Sequence, residues 1–159
     1  MAIKVGDKIP SVKLKTMKDG KMSDITTDEI FRGKKVVLFA VPGAFTPTCS
    51  MQHLPGFVEK ATDIRGKGVD EIVCLSVNDA FVMGAWGKEH GAGGKVRMVA
   101  DGNGEFTKAV GLELDASGFG MGKRSKRYAM VVNNGKVEQV LVDESGLKES
   151  SADSVLSKL

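Results

Sequence analysis

The sequence predicts an α/β fold, a mixed central sheet with helices on both faces, and three observations carry that prediction. Apolar, β-branched runs at Val36–Val41 and at residues 71–77 are each followed by a marked helix start. Two strand patterns later in the chain flank Asn133-Asn134-Gly135, a strong short hairpin signal, and lead to a last helix. Glycine supplies 20 of 159 residues, above the usual ~7%, and is scattered, as many tight turns between short elements require.

Taken in order, the first thirty or so residues carry a turn signal at Lys18-Asp19-Gly20 and are expected as a hairpin laid beside the core. Val36–Val41, stopped by Pro42-Gly43, reads as a buried strand. A helix is expected over Thr46–Arg65, with Thr46 as N-cap and Pro47 at the first helical position, where a missing N–H costs nothing. Pro55-Gly56 should kink it and Gly66-Lys67-Gly68 should end it. Residues 71–77 form a second buried strand, and Asn78-Asp79 caps a helix to about His90, where Gly91 stops it. A third strand is expected over Val96–Ala100 and a short helix over Glu105–Val110. The hairpin then joins Tyr128–Val132 to Lys136–Val142, and Ser150 or Ser151 caps a helix over Ala152–Leu159. A β-α-β unit, an inserted strand and helix, then β-β-α is the thioredoxin-like arrangement, here with an added N-terminal hairpin. No linker, repeat or low-complexity block divides the chain, so one domain spanning 1–159 is expected.

Composition excludes several classes. Lys and Arg total 23 against 20 Asp and Glu, and a net charge of +3 gives no reason to expect nucleic acid or an anionic membrane as partner. The longest apolar run, Val36–Val41, falls far short of the roughly 18 residues a membrane span needs. Lys4, Asp7 and Lys8 interrupt the start before a signal-peptide core could build up. Two cysteines, Cys49 and Cys74, make neither a disulfide scaffold nor a C-x-x-C pair nor a zinc spacing with histidine. These features point to a reducing, cytoplasmic setting, or an organelle matrix if a presequence has been removed.

Cys49 is the centre of the chemical reading. A free cysteine is most often a small buried hydrophobe, but this one lies past the end of a buried strand and in the first turn of a helix. Ligands in α/β folds gather at such strand ends, and main-chain N–H groups there favour the nucleophilic thiolate. An ordinary thiol titrates near ~8.5, so ionisation with a pKa of ~6 needs roughly 3.4 kcal/mol. A helix terminus supplies ~0.3–1 kcal/mol and at best ~2. A cation is therefore required. The run Lys123-Arg124-Ser125-Lys126-Arg127 offers several, and on its own reads most simply as a solvated loop. Arg127 differs in being the last charge before the Tyr128 strand, which could aim its permanently charged guanidinium inward.

Pro42, Thr46 and Cys49 form P-x-x-x-T-x-x-C, and with a distant Arg127 this set resembles the active site of the peroxiredoxins. The wider wording is similar to the type II branch of that family: Val41 to Ser50, His53-Leu54-Pro55-Gly56-Phe57, Cys74 to Phe81 and Lys126-Arg127-Tyr128. The resemblance covers essentially the whole chain. It implies thiol-dependent reduction of hydrogen peroxide and organic hydroperoxides, no metal or prosthetic cofactor, and a homodimer. It implies that Cys49 attacks the peroxide and becomes a sulfenic acid, and that the Thr46 hydroxyl binds substrate while also serving as cap. Arg127 would stabilise thiolate and the stretched O–O bond, and Pro42 would shield the site from water. Cys74 stands where some type II relatives are discussed as carrying a resolving cysteine, although its apolar strand suits a buried structural thiol. Mid-strand, it could reach the helix start only after local unwinding, because a disulfide needs Cα atoms within about 7 Å. Animal members carry their resolving cysteine near the C-terminus, where this chain has Ser150 and Ser151. An external thiol, glutathione with glutaredoxin or thioredoxin, is then the expected reductant.

Other signals are weaker. His53 lies four residues after Cys49, but no third group completes a Cys–His acyl-transfer set, and packing near the site with some influence on Cys49 is the better reading. Residues 118–125 fail the phosphate-loop spacing and read as a flexible turn beside Arg127. Trp86 reads as core. Two rival functions remain: a redox sensor oxidised at Cys49 without useful turnover, and a thiol-disulfide oxidoreductase, which Thr46 and Pro47 disfavour by standing where a C-x-x-C enzyme places its first cysteine and a neighbour.

Overall fold

The computed structural model describes residues 1–159. Its main sheet is built from seven strands, β1 (Lys13–Lys18), β2 (Lys21–Thr26), β3 (Lys35–Val41), β4 (Glu71–Ser76), β5 (Arg97–Ala100), β8 (Arg127–Asn133) and β9 (Lys136–Asp143). Their order across the sheet is β2-β1-β5-β4-β3-β8-β9. β3, β4 and β5 run parallel, and β1, β2, β8 and β9 join antiparallel to their neighbours. The central strands read as unbroken apolar runs because both of their faces are covered. One face packs Phe39, Val41 and Cys74 against α2 (Leu54–Arg65), α3 (Ala80–Glu89) and α5 (Ala152–Ser157). The other packs Leu38, Leu75 and Tyr128 against α1 (Thr27–Phe31) and α4 (Glu105–Ala109).

The expected strands, the N-terminal hairpin and the order of the helices are observed. Asp79 caps α3 by accepting the Val82 amide at 2.8 Å, and Ser151, rather than Ser150, caps α5 by accepting the Ser154 amide. Two features depart from the sequence reading. Thr26-x-x-Glu29 forms a capping box that starts α1, a five-residue helix too short to show a period. Residues 118–125, expected as a turn throughout, end in β7 (Lys123–Ser125), which pairs with β6 (Glu113–Asp115) in a small second sheet. That pairing orders the segment leading into Arg127.

Candidate active site

Cys49 sits where the sequence places it, after β3 and at the start of the long helix, but the turn there is wide. Residues Cys49–His53 are π-helical, with the Leu54 N–H donating to the Cys49 carbonyl, and regular α-helix begins at Leu54. The expected kink at Pro55 takes this form for a plain reason. Proline has no N–H to donate to residue 51, and its ring crowds that carbonyl, so an extra residue is accommodated just before it. The loop from β3 is pinned on both sides. Asn78 Oδ1 accepts the Ala44 amide at 3.0 Å and the Ser76 hydroxyl at 2.6 Å, and Trp86 Nε1 donates to Ser50 Oγ at 2.9 Å.

Thr46 begins the helix through its main chain, since its carbonyl accepts the Ser50 amide at 2.9 Å. Its hydroxyl does not cap. It donates instead to the Gly43 carbonyl at 2.6 Å, a correction to the side-chain cap that its position suggested. Gly43 allows this tight turn, because a Cβ there would lie 3.1 Å from Thr46 Cγ2 and 3.0 Å from Met121 Cε. Phe45, next in line, has φ 64°, a left-handed conformation that costs a residue other than glycine roughly 1–2 kcal/mol.

Arg127, at the first position of β8, reaches the sulfur: its Nη2 donates to Cys49 Sγ at 3.2 Å. Such a bond is stronger to an ionised acceptor than to a neutral one. Its Nη1 donates to His53 Nδ1 at 3.0 Å, and His53 Nε2 lies 2.9 Å from the Ser150 carbonyl. His53 thus faces Arg127, and not Cys49 as a base would. Burial pushes its pKa down to about 3; the bond to the Ser150 carbonyl opposes that shift, the neighbouring guanidinium adds to it by less, and Asp143 opposes it least. Cys49 is fully covered in this conformation. Pro42 is half-buried and lines, with Arg127, Phe119 and Met121, a cavity of about 360 Å³ beside the site.

Pro42, Thr46, Cys49 and Arg127 therefore converge on one end of the sheet. Cys74 does not join them at the polar site. It lies in the middle of β4 opposite Phe39, completely buried, and that burial, with the nearby Cys49, pushes its thiol well above the ordinary range. Both cysteines are free. No three His, Cys, Asp or Glu side chains cluster in a way that would hold a metal ion. What the sequence reading missed is the partner set of His53: the Ser150 carbonyl and, behind it, Asp143. The only sequence signal was the four-residue spacing from Cys49.

Comparisons with known proteins bear on the chain as a whole. A family model described as Redoxin matches residues 4–156. Peroxiredoxin-2B of Arabidopsis thaliana is 48% identical over 159 residues, covering 99% of this chain and 98% of its own. Peroxiredoxin-2E, chloroplastic, of the same plant is 48% identical over 163 residues, covering 99% of this chain and 70% of its own. The reduced Prx3 of Vibrio vulnificus, solved in complex with hydrogen peroxide, superposes with a TM-score of 0.94 at 48% identity, over 98% of either chain.

Proposed function

The chain belongs to the redoxin family as a peroxiredoxin, a thiol peroxidase, and from that premise we propose that Cys49 is the sulfur that attacks the peroxide. The single observation that carries this reading is the 3.2 Å contact from Arg127 Nη2 to Cys49 Sγ at the start of a helix. The thiolate attacks one oxygen of the hydroperoxide, the O–O bond breaks, and the other oxygen leaves as an alkoxide or hydroxide that takes up a proton. Cys49 is left as a sulfenic acid. Charge grows on the departing oxygen, and Arg127, a donor already fixed in place, lowers that barrier. Thr46 turns its hydroxyl to substrate by leaving or sharing the Gly43 carbonyl, since a hydroxyl both donates and accepts. Pro42 limits the approach of water.

One thiol then condenses with the sulfenic acid, releasing water and forming a mixed disulfide, and a second thiol releases Cys49. We assign those thiols to an external reductant, glutathione with glutaredoxin or thioredoxin, because the burial of Cys74 supports a structural role for it. A homodimer is supported by the resemblance and by two exposed rings, Phe45 and Phe81, on segments tied together through Ala44 and Asn78. The match from residue 4 to residue 156 supports one functional unit over the whole chain. No helix is long and apolar enough to cross a membrane, and the cytoplasm is the proposed setting, with an organelle matrix as the alternative that a chloroplastic relative supports.

Steady consumption of hydrogen peroxide or cumene hydroperoxide with an excess of small thiol is the test. Cys49→Ser should abolish it, and turnover that survives that substitution refutes the assignment. Mass spectrometry after one equivalent of peroxide, with and without glutathione, separates the recycling routes. A glutathione adduct at Cys49 is expected, whereas an intrachain Cys49–Cys74 bond would make Cys74 the resolving thiol.

A further inference from the structure

We propose that His53 is a positioning residue for this chemistry and that the strap 143–150 positions it in turn: Asp143 shapes the strap, the Ser150 carbonyl fixes the imidazole, and the imidazole holds the Arg127 guanidinium on Cys49. The proposal rests on Cys49 being the reactive sulfur.

Donor and acceptor roles along this chain of contacts leave one solution. A carbonyl only accepts, so His53 Nε2 must carry the proton at 2.9 Å from Ser150. A guanidinium only donates, so His53 Nδ1 must offer its lone pair to Arg127 at 3.0 Å. Both neighbours therefore select the same neutral tautomer. An imidazolium would set an N–H against a guanidinium, two cations in contact inside the fold. The ring packs against the tilted rings of Phe39 and Phe57, whose centroids lie 4.9 and 5.6 Å from its own.

The choice of acceptor has a consequence for charge. Arg127 takes part in none of the ion pairs of the chain. A neutral ring orients the guanidinium without cancelling its charge, which a carboxylate in the same place would do. A carboxylate does stand on the neighbouring strand: Asp143 is the cross-strand partner of Arg127 in the β8–β9 register. It is committed elsewhere: its oxygens accept the amides of Lys148, Glu149 and Ser150 at 2.9 to 3.0 Å and the Ser150 hydroxyl at 2.7 Å. Those bonds fold the strap back over the helix start and point the Ser150 carbonyl at His53. The titratable and charged groups that face the imidazole and the guanidinium are Cys49 and Asp143.

Two measurements test the proposal without using peroxidase turnover. In the reduced wild-type protein, nitrogen NMR of the His53 ring should show the Nε2–H tautomer with no titration between about pH 5 and 8. An Nδ1–H tautomer, or a midpoint near the ordinary value, overturns the proposal. The pH profile of Cys49 alkylation by iodoacetamide should move up by about one unit in His53→Leu, an approximately tenfold loss of thiolate on the acid side. His53→Gln should recover most of it, because an amide offers an acceptor to Arg127 and a donor to Ser150 at about the spacing of the two ring nitrogens. Asp143→Asn should shift the profile in the same direction by less. Unshifted profiles in His53→Leu and Asp143→Asn, or a Gln variant as impaired as Leu, overturn the proposal, and should His53→Leu fail to fold, the NMR result and Asp143→Asn still decide. Failure of the Cys49 assignment would appear separately, as turnover in Cys49→Ser.

Discussion

Arg127 works as a pair of directed donors, one to a sulfur and one to a ring, and that arrangement sets what its replacement should do. Arg127→Ala is expected to slow the peroxide step about 10²–10³-fold, the scale for losing a fixed donor to developing negative charge. Arg127→Lys should recover only part, since one ammonium cannot hold the geometry of the fork. Stopped-flow mixing with hydrogen peroxide measures both, and an unchanged rate would remove Arg127 from the chemistry. The neighbouring His53 makes a prediction about pH. Its pKa in the folded protein is about 3 against 6.5 for the free group, so on acidification the unfolded chain binds a proton first. His53 thus withdraws stability as pH falls from about 6.5 towards 3, by at most ~1.4 kcal/mol per pH unit, and withdraws none above that window. Asp143 acts in the same sense at lower pH: burial raises it, but the bonds from Ser150, Glu149 and Lys148 outweigh burial and hold it low, so its contribution is lost as pH drops below the ordinary carboxylate range. Urea unfolding at pH 7 and 4.5 should show the loss, and His53→Gln should flatten it; an equally steep decline in that variant would assign the effect elsewhere.

The long helix that bears Cys49 shows how much of an element local signals can declare. Pro47 and Gly66 mark its ends as expected, and Asp79 and Ser151 likewise mark α3 and α5, because a cap is a contact between residues two or three apart. Asp79→Ala should cost about 1 kcal/mol, read as a lower melting temperature. The wide turn at Cys49–His53 was legible only as a kink, since proline dictates that a hydrogen bond is lost and the surroundings decide how the chain absorbs the loss. Pro55→Ala restores the N–H and should let the turn tighten, raising stability by roughly 1 kcal/mol for one hydrogen bond. If the wide turn serves the site, Cys49 should react more slowly with peroxide in the same variant. A more stable protein with an undiminished rate would make the turn a by-product of the proline. Short elements escaped because they contain no full period: β6 and β7 have three residues each and are strands only through each other.

Across the whole molecule the sheet is the frame that brings distant segments together. β3 ends beside the start of β8, with Ala40 opposite Tyr128, and this register alone places Arg127 next to the loop that leads to Cys49. Beneath the site, Phe39 stacks on Phe57 at 4.1 Å and also supports His53, so packing and chemistry share a residue. Phe39→Ala should cost about 3–5 kcal/mol and should also slow Cys49 alkylation, because the imidazole loses its seat. Full loss of stability with an unchanged alkylation profile would separate the core from the site. By itself the amino-acid sequence determined the strands of the main sheet, the ends of the longer helices and the hairpin turn, and it singled out Pro42, Thr46, Cys49 and Arg127 as the candidate set. Each of these rests on neighbours within a few residues or on a spaced motif, and such information is local. Tertiary structure alone decided that Cys49 is covered, that Cys74 lies away from the polar site, and that His53 answers to a carbonyl 97 residues further along. Hydrogen-bond partners and burial are properties of chain segments brought together in space, and no short window of sequence contains both members of such a pair.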